Sequence, residues 1–429
     1  MTAIPLATAS APLDAVVSVP GSKSIANRAL VCAALADGDS RLGNVPAGDD
    51  TVAMVECLQR LGVGVGLGEH GDQATVVGCG GVLDASDVTL DAGLAGTTSR
   101  FVTALAALAP GPVTVDGAPP LRRRPMGPLH AALADLGATI TTADGAGRLP
   151  VTVRGPLRSG GTVGIRGDVS SQYLTALMLI APLLDGGVRL RLTSRLVSVP
   201  YVRLTAAVMA SFGVAGVTSS DDVIEVPAGR YRGTDFAIEP DASSASYPMA
   251  IAAVVGGRVC VAGLHRDSAQ GDIAFADLLS EMGCTVADEA PGLTVTRDPT
   301  VALRGLDVDM SDISDLVPTL VAVAATASTT TTIRGIGFIR GKESDRLGDL
   351  AGEMAATGAA VTVLADGLRV DPVSRLHGAV LGTHHDHRLA MAFGVLGAAV
   401  DGIVVEDPAV VSKSWPGFWD ARDAIVAPA

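Results

Sequence analysis

Six times along its 429 residues the chain repeats one alternation of polar and apolar positions. A short run of β-type residues leads to a small polar cluster, and the cluster opens onto a long stretch rich in Ala and Leu. The six stretches are SVPGSKSIANRALVCAALA, TLDAGLAGTTSRFVTALAAL, GIRGDVSSQYLTALMLIAPLL, AIEPDASSASYPMAIAAVV, DVDMSDISDLVPTLVAVAATA and GTHHDHRLAMAFGVLGAAV. Aligning Ser24, Ser99, Ser171, Ser244, Asp315 and Asp386 gives spacings of 75, 72, 73, 71 and 71 residues. Ser or Asp just ahead of an apolar run is helix N-cap chemistry, so the pattern predicts six helices, each capped at its start.

A second helix of amphipathic spacing lies further along most units, as in TVAMVECLQRLGVGV and DIAFADLLSEMGCTV. Most of these end in Gly at the C′ position, and a short strand such as LPVTVRG follows. Each unit therefore reads βαβ plus one or two further strands. If the first helices of several units point the same way, their N-termini converge. Each end carries unpaired N–H groups and about half a positive charge, so that place binds phosphates and carboxylates. A chain this long exceeds one ordinary core, which predicts two domains of three units each, with the site in the cleft between them.

Composition narrows the function. Hydrophobic residues are 48% of the chain and aromatics 3%, so the core is built from Ala, Val, Leu and Gly. A net charge of −14 argues against a nucleic-acid surface, although cations gathered in one cleft still bind anions. Five cysteines without CxxC spacing point to reduced thiols in a cytoplasmic protein. The N-terminus lacks the basic start and apolar core of a signal peptide, and no apolar run is long enough to span a membrane.

Only Lys23, Lys342 and Lys413 are lysines, against 28 arginines. Lysine is a compact point donor that guanidinium cannot imitate, so the three mark an anion site that needs an ammonium. Lys23 sits in GSKS with Arg28 one turn on; because it follows Ser22 rather than Gly, a Walker A loop is excluded. RRRP, ending at Pro125, offers three guanidiniums or a solvated basic loop at Arg122 and Arg123. In SSQYLTA, capping accounts for one of Ser170 and Ser171 and leaves a hydroxyl and the Gln172 amide over. Ser198 and Tyr201 flank a second-helix start, where a core tyrosine competes with a ligand. Asp315 stands at the fifth cap, where an anion-binding helix end wants Ser or Gly. A carboxylate held ionised among dipoles and cations is a candidate general base. Lys342, Glu343 and Arg346 offer acid, base and anion clamp from one loop, or an exposed helix of i,i+3 and i,i+4 ion pairs. HHDHR (384–388) invites a metal, but adjacent His384 and His385 splay on either regular element and no matching Cys or His set lies elsewhere. His387 beside Arg388 at a helix start fits anion binding instead. Lys413 in SKSWP has no periodic role, and an exposed loop is its plainest reading.

In order and nearly in spacing, PGSKSIANRAL, AGTTSRF, RRRP, SSQYLTAL, EPDASSASY, KESDRL, DHRLAMAF and SKSWP resemble the EPSP synthase family of enolpyruvyl transferases. The resemblance covers essentially the whole chain. It implies an α/β (α+β) fold of two domains, each of three βαβαββ repeat units in an inverse α/β barrel-like array with the substrate cleft between them. Residues 1–20 plus 241–429 would form the domain holding both termini and 21–240 the inserted one, with crossings near Pro20 and near Glu239–Asp241. It further implies transfer of the enolpyruvyl group of phosphoenolpyruvate to the 5-hydroxyl of shikimate-3-phosphate, with release of phosphate, on the route to chorismate. The enzyme would be a cytoplasmic monomer without metal or organic cofactor, and a glyphosate target, with Gly96 leaving room for that inhibitor.

Carried over by motif, shikimate-3-phosphate would meet Lys23, Ser24, Arg28, Ser170, Ser171, Gln172, Ser198, Tyr201, Asp315 and Lys342. Phosphoenolpyruvate would meet Lys23, Gly96, Arg124, Gln172, Arg346, Arg388 and Lys413. Asp49, Asp241, Asp386 and His387 are further candidates. Leu94 and Phe338 stand where members of the family place Asn. Seven cations less Asp315 and Glu343 leave a positive excess of about five, close to the charge that two phosphates and two carboxylates bring. Asp315 would take the hydroxyl proton, and Glu343, with Lys23 as helper, would deliver and later remove the methyl proton. The sister family that acts on UDP-N-acetylglucosamine carries a cysteine in the loop matching VDGAPPLRRRP, and none is present here. A non-catalytic anion-binding protein on the same scaffold is the other alternative.

Overall fold

Six apolar helices follow the six polar clusters: α1 (Lys23–Leu35), α2 (Gly96–Ala106), α3 (Ser171–Ile180), α4 (Ala242–Val255), α5 (Val317–Ala324) and α6 (His387–Leu396). A helix that is apolar on nearly every face belongs in a core. Accordingly α1 is buried from Ile25 to Leu35 and α4 from Ala242 to Val254. The computed structural model describes residues 2–427 apart from 70, 144 and 146. The chain divides into two units: Met1–Pro20 with Glu239–Ala429, termed the terminal unit, and Gly21–Ile238, the inserted unit. Each has its own hydrophobic core.

In the inserted unit, α1, α2 and α3 each accompany one four-stranded sheet. The sheet beside α2 is representative. Val88–Asp91 pairs in parallel with Pro112–Asp116, which pairs antiparallel with Val151–Arg154, and that strand pairs antiparallel with Thr139–Thr142. The terminal unit has two such sheets and one of three strands, in which Ala3–Pro5 pairs antiparallel with Val404–Glu406. Five second helices end at a glycine of positive φ, at Gly62, Gly137, Gly213, Gly283 and Gly358. Only glycine takes that left-handed conformation without strain from a Cβ, which is why the sequence punctuates each unit there.

Two details correct the sequence reading. Leu13–Val17, directly ahead of α1, pairs in parallel with Gly257–Ala262 of the terminal unit, whereas Asp235–Ala237, just ahead of α4, pairs in parallel with Asp39–Gly43 of the inserted unit. Repeats counted along the chain and repeats counted by sheet thus differ by one strand. Pro20 and Pro240, which lack an N–H for a ladder, lie just past these strands. The caps differ as well. Among the N-cap residues of α1 to α6, only the side chains of Ser170, Asp241 and Asp386 accept a backbone N–H. Ser22 and Ala95, the N-caps of α1 and α2, make no side-chain cap bond. Ser24 and Ser99 lie inside those helices, Ser171 and Ser244 inside α3 and α4, and Asp315 sits in the 3₁₀ turn Ser314–Leu316 ahead of α5. Among the described residues no helix is long and apolar enough to cross a membrane.

Candidate functional site

In the inserted unit the candidates gather at helix starts. Lys23 is the first residue of α1, and its Nζ lies 2.9 Å from Asp50 Oδ2. Asp50 belongs to the first turn of the helix Asp49–Arg60 and its side chain is only 4% exposed, while Asp49 faces outward. The partner of Lys23 is therefore the second aspartate of the pair, a residue the sequence reading missed. Two adjacent acids at a helix start look equivalent in sequence; the rotation between them decides which one is buried. Thr98 Oγ1 donates to the Asp50 carbonyl at 3.0 Å, joining this end to the start of α2. Gln172 Nε2 donates to Thr97 Oγ1 at 3.1 Å, joining α2 to α3.

Two guanidiniums lie across the start of α2. A Cβ on Gly96 would stand 2.6 Å from Arg124 Nη1 and 3.0 Å from Arg100 Nη1. Buried Arg100, absent from the sequence candidates, donates to the Gly96 carbonyl at 2.9 Å. Arg122 forms a two-pronged pair with Asp116 at 2.8 and 2.6 Å, and Arg123 is exposed, so the solvated-loop reading holds for these two. Ser198 is buried at the start of the helix Val199–Ser211 with a left-handed φ of 58°. Tyr201 is half-buried, and its ring lies 5.7 Å from the guanidinium carbon of Arg28. Arg28 donates to Thr205 Oγ1, Thr175 Oγ1 and the Ser24 carbonyl at 2.8, 3.2 and 2.7 Å. Burial lowers its pKa to about 10, against the opposing effect of Tyr201 and Cys32, and it remains a cation at neutral pH.

The terminal unit carries a denser network. Asp315 accepts from Arg388 Nη2 at 2.7 Å and Arg346 Nη1 at 2.9 Å, with Lys342 Nζ at 3.7 Å. Arg346, 1% exposed, also reaches Glu343 Oε2 and Asp386 Oδ2, each at 2.7 Å. Burial pushes the Asp315 carboxyl up, but Arg388, Lys342 and Arg346 outweigh it and hold the group well below the usual carboxylate range. The segment from Lys342 to Arg346 precedes the helix Gly348–Ala355 and is not itself helical, so the exposed ion-pair helix is not formed. Fully buried Asp386 caps α6 through Arg388 N at 2.9 Å and accepts from Ser344 Oγ at 3.1 Å. Asp241 caps α4, accepting from Ser244 N at 2.9 Å and Oγ at 2.7 Å. Lys413 is buried in the 3₁₀ turn Pro408–Lys413, contrary to an exposed-loop reading.

Asp272 is a second acid the sequence reading missed. It is buried, accepts from Ser243 Oγ, and burial, with Asp315 and Asp241 adding to it, raises its pKa to about 6 against Ser243 and Arg388. Only its neighbours reveal it, because QGDIAFADL reads as an ordinary amphipathic helix start. The positive excess expected from sequence is smaller too, since Asp50 and Asp386 pair with two of the counted cations. The histidines of HHDHR diverge: His384 meets Glu353 Oε1 at 2.7 Å, His385 meets Asp407 Oδ2 at 3.4 Å, and His387 is buried with Nδ1 3.7 Å from Asp386 Oδ1. Among the described residues no group of three or more His, Cys, Asp or Glu could hold a metal. Of the two departures from the family pattern, Leu94 is exposed, and Phe338 sets its ring 5.8 Å from Lys342 Nζ, a cation–π contact.

The arrangement offers cations at open helix starts in one unit and interlocked acids and bases in the other. A family model described as EPSP synthase (3-phosphoshikimate 1-carboxyvinyltransferase) matches residues 7–421. A 3-phosphoshikimate 1-carboxyvinyltransferase of Nostoc punctiforme is 41% identical over 98% of each chain. One of Methanoculleus marisnigri is 43% identical over 96% of each. In fold, the chain is similar to the solved EPSP synthase of Acinetobacter baumannii, with a TM-score of 0.82 over 99% of this chain and 98% of the other at 24% identity.

Proposed function

Because the chain belongs to the EPSP synthase family, we infer that it is an enzyme transferring the enolpyruvyl group of phosphoenolpyruvate to the 5-hydroxyl of shikimate-3-phosphate, with release of phosphate. The observation that carries the reading at the level of residues is the contact of Asp315 and Glu343 with Arg346, and of Asp315 with Arg388. We assign shikimate-3-phosphate to Lys23, Ser24, Arg28, Ser170, Ser171, Gln172, Ser198, Tyr201, Asp315 and Lys342. Phosphoenolpyruvate is assigned to Lys23, Gly96, Arg124, Gln172, Arg346, Arg388 and Lys413.

The reaction needs a base for the attacking hydroxyl and an acid for the methylene carbon. Asp315 takes the hydroxyl proton. Glu343, with Lys23 assisting, protonates the methylene and later removes that proton as the tetrahedral ketal expels phosphate. A carboxylate compensated by three cations is a weak base. Once substrate anions engage Arg388, Arg346 and Lys342, those cations are shared and the basicity of Asp315 rises, so it becomes an effective base only with ligands in place. The arginines hold carboxylate and phosphate, and positioning with preorganised charge lowers the barrier. The five cysteines are free thiols, which fits our placement of the enzyme in a reducing cytoplasm, and we take it to act as a monomer.

Phosphate release on mixing shikimate-3-phosphate with phosphoenolpyruvate tests the assignment. Release with both substrates and none with either alone is the expected result; no release from the pair refutes it.

A further inference from the structure

The three histidines of the HHDHR run diverge, and the first two have no part in the chemistry assigned above. His384 and His385 have φ of 50° and 58°, two left-handed residues in succession. Side chains rarely adopt that backbone, and it persists only where the surroundings over-determine it. Here they do. Glu353 accepts from His384 Nε2 at 2.7 Å and from Gly382 N at 2.9 Å, and Asp349 Oδ1 lies 3.8 Å from His384 Nδ1. Asp407 Oδ2 lies 3.4 Å from His385 Nδ1.

Glu353 stands on the helix Gly348–Ala355, whose first residue lies two positions after Arg346. His384 stands two positions before Asp386. The chain from Arg346 to Glu353, the Glu353–His384 contact, the turn from His384 to Asp386 and the Asp386–Arg346 pair at 2.7 Å therefore close a ring. With the turn fixed, Asp386 meets Nε of Arg346, and the two Nη atoms face Asp315 and Glu343.

We propose that Glu353 and His384 form a positioning pair that locks the left-handed turn and thereby sets the angle at which Arg346 presents its guanidinium to the phosphoenolpyruvate anion. The catalytic consequence rests on the function proposed above; the structural lock does not.

Glu353→Ala removes the lock. His384→Asn removes it too, with a residue that tolerates the left-handed backbone. Each is expected to raise KM for phosphoenolpyruvate about tenfold with kcat nearly unchanged, short of the ~100-fold that a full ångström of misplacement can cost. The double variant should be no worse than either single one, as for two residues acting through one contact. Glu353→Gln, whose amide can serve both partners, should restore wild-type KM. Hydrogen exchange is the readout that needs no turnover: amides across 383–388 should exchange about tenfold faster in both single variants, at an unchanged melting temperature. Unchanged exchange, additive effects in the double variant, or a KM that tracks melting temperature and is not rescued by Gln overturns the proposal. If the wild-type enzyme fails to release phosphate, the functional reading falls while the exchange measurement still decides the lock.

Discussion

The inserted and terminal units repeat one βαβ plan and end it in opposite ways. In the inserted unit, α1 and α2 begin without side-chain caps; Lys23 stands at the first start beside buried Asp50, and Arg100 and Arg124 stand at the second. In the terminal unit, α4 and α6 are capped by Asp241 and Asp386, and Asp315, Glu343 and Asp386 interleave with Lys342, Arg346 and Arg388. Uncapped helix starts lined by cations suit an anion that is to be held still. A balanced network suits proton transfer, because the affinity of each acid for a proton depends on what its neighbours are engaged with. The same scaffold thus differs between the units in whether α1 and α2, or α4 and α6, begin at a carboxylate of their own.

The comparison breaks most sharply at Asp315. Asp315→Asn should lower turnover about 1,000-fold in a phosphate-release assay, within the range that general-base loss covers, while calorimetry shows substrate affinity kept or improved. Weak binding with normal turnover would instead make Asp315 an anchor. Asp386→Asn leaves buried Arg346 without its strongest partner and should cost about 3 kcal/mol of stability by urea denaturation.

Asp272 sharpens the contrast with the opposite sign. Its folded-state pKa near 6 lies above the ordinary 3.8, so between those values the folded chain binds a proton that the unfolded chain has released. Stability falls as pH rises through that window and stays lowered above it. Asp272→Asn should therefore stabilise by up to about 3 kcal/mol at pH 7, with the gain disappearing toward pH 4 in parallel melts. The smallest effect is expected in the inserted unit. Gly96→Ala places a methyl against Arg124 Nη1, the far end of a flexible side chain, and should raise KM for phosphoenolpyruvate about fivefold, roughly 1 kcal/mol, with kcat and melting unchanged.

Periodicity carried the architecture because burial and punctuation are local. Apolar runs behind polar clusters identify α1 to α6, and amphipathic runs ending at Gly identify five of the second helices, without any tertiary knowledge. Lys23, Arg346 and Arg388 were legible for a related reason, as rare or clustered cations at helix starts. What sequence could not resolve depends on rotation and on distant partners. Asp49 and Asp50 differ by one step of helical twist. Asp272 owes its elevated pKa first to burial and then to Asp315 and Asp241, none of which its own stretch of sequence shows. Glu353 looks like any exposed helix glutamate until His384 is found 2.7 Å away. The strand ahead of α1 could not be assigned to a sheet, since its partner, Gly257–Ala262, lies more than two hundred residues on.

That strand also sets a timetable for biosynthesis. Every strand of the inserted unit lies within residues 21–238, so its three sheets can close while the ribosome is still adding the remainder. Leu13–Val17 must wait for residues 257–262, and Ala3–Pro5 for residues 404–406. Both strands thus dock late, long after they have been made, because their partners lie so far along the chain.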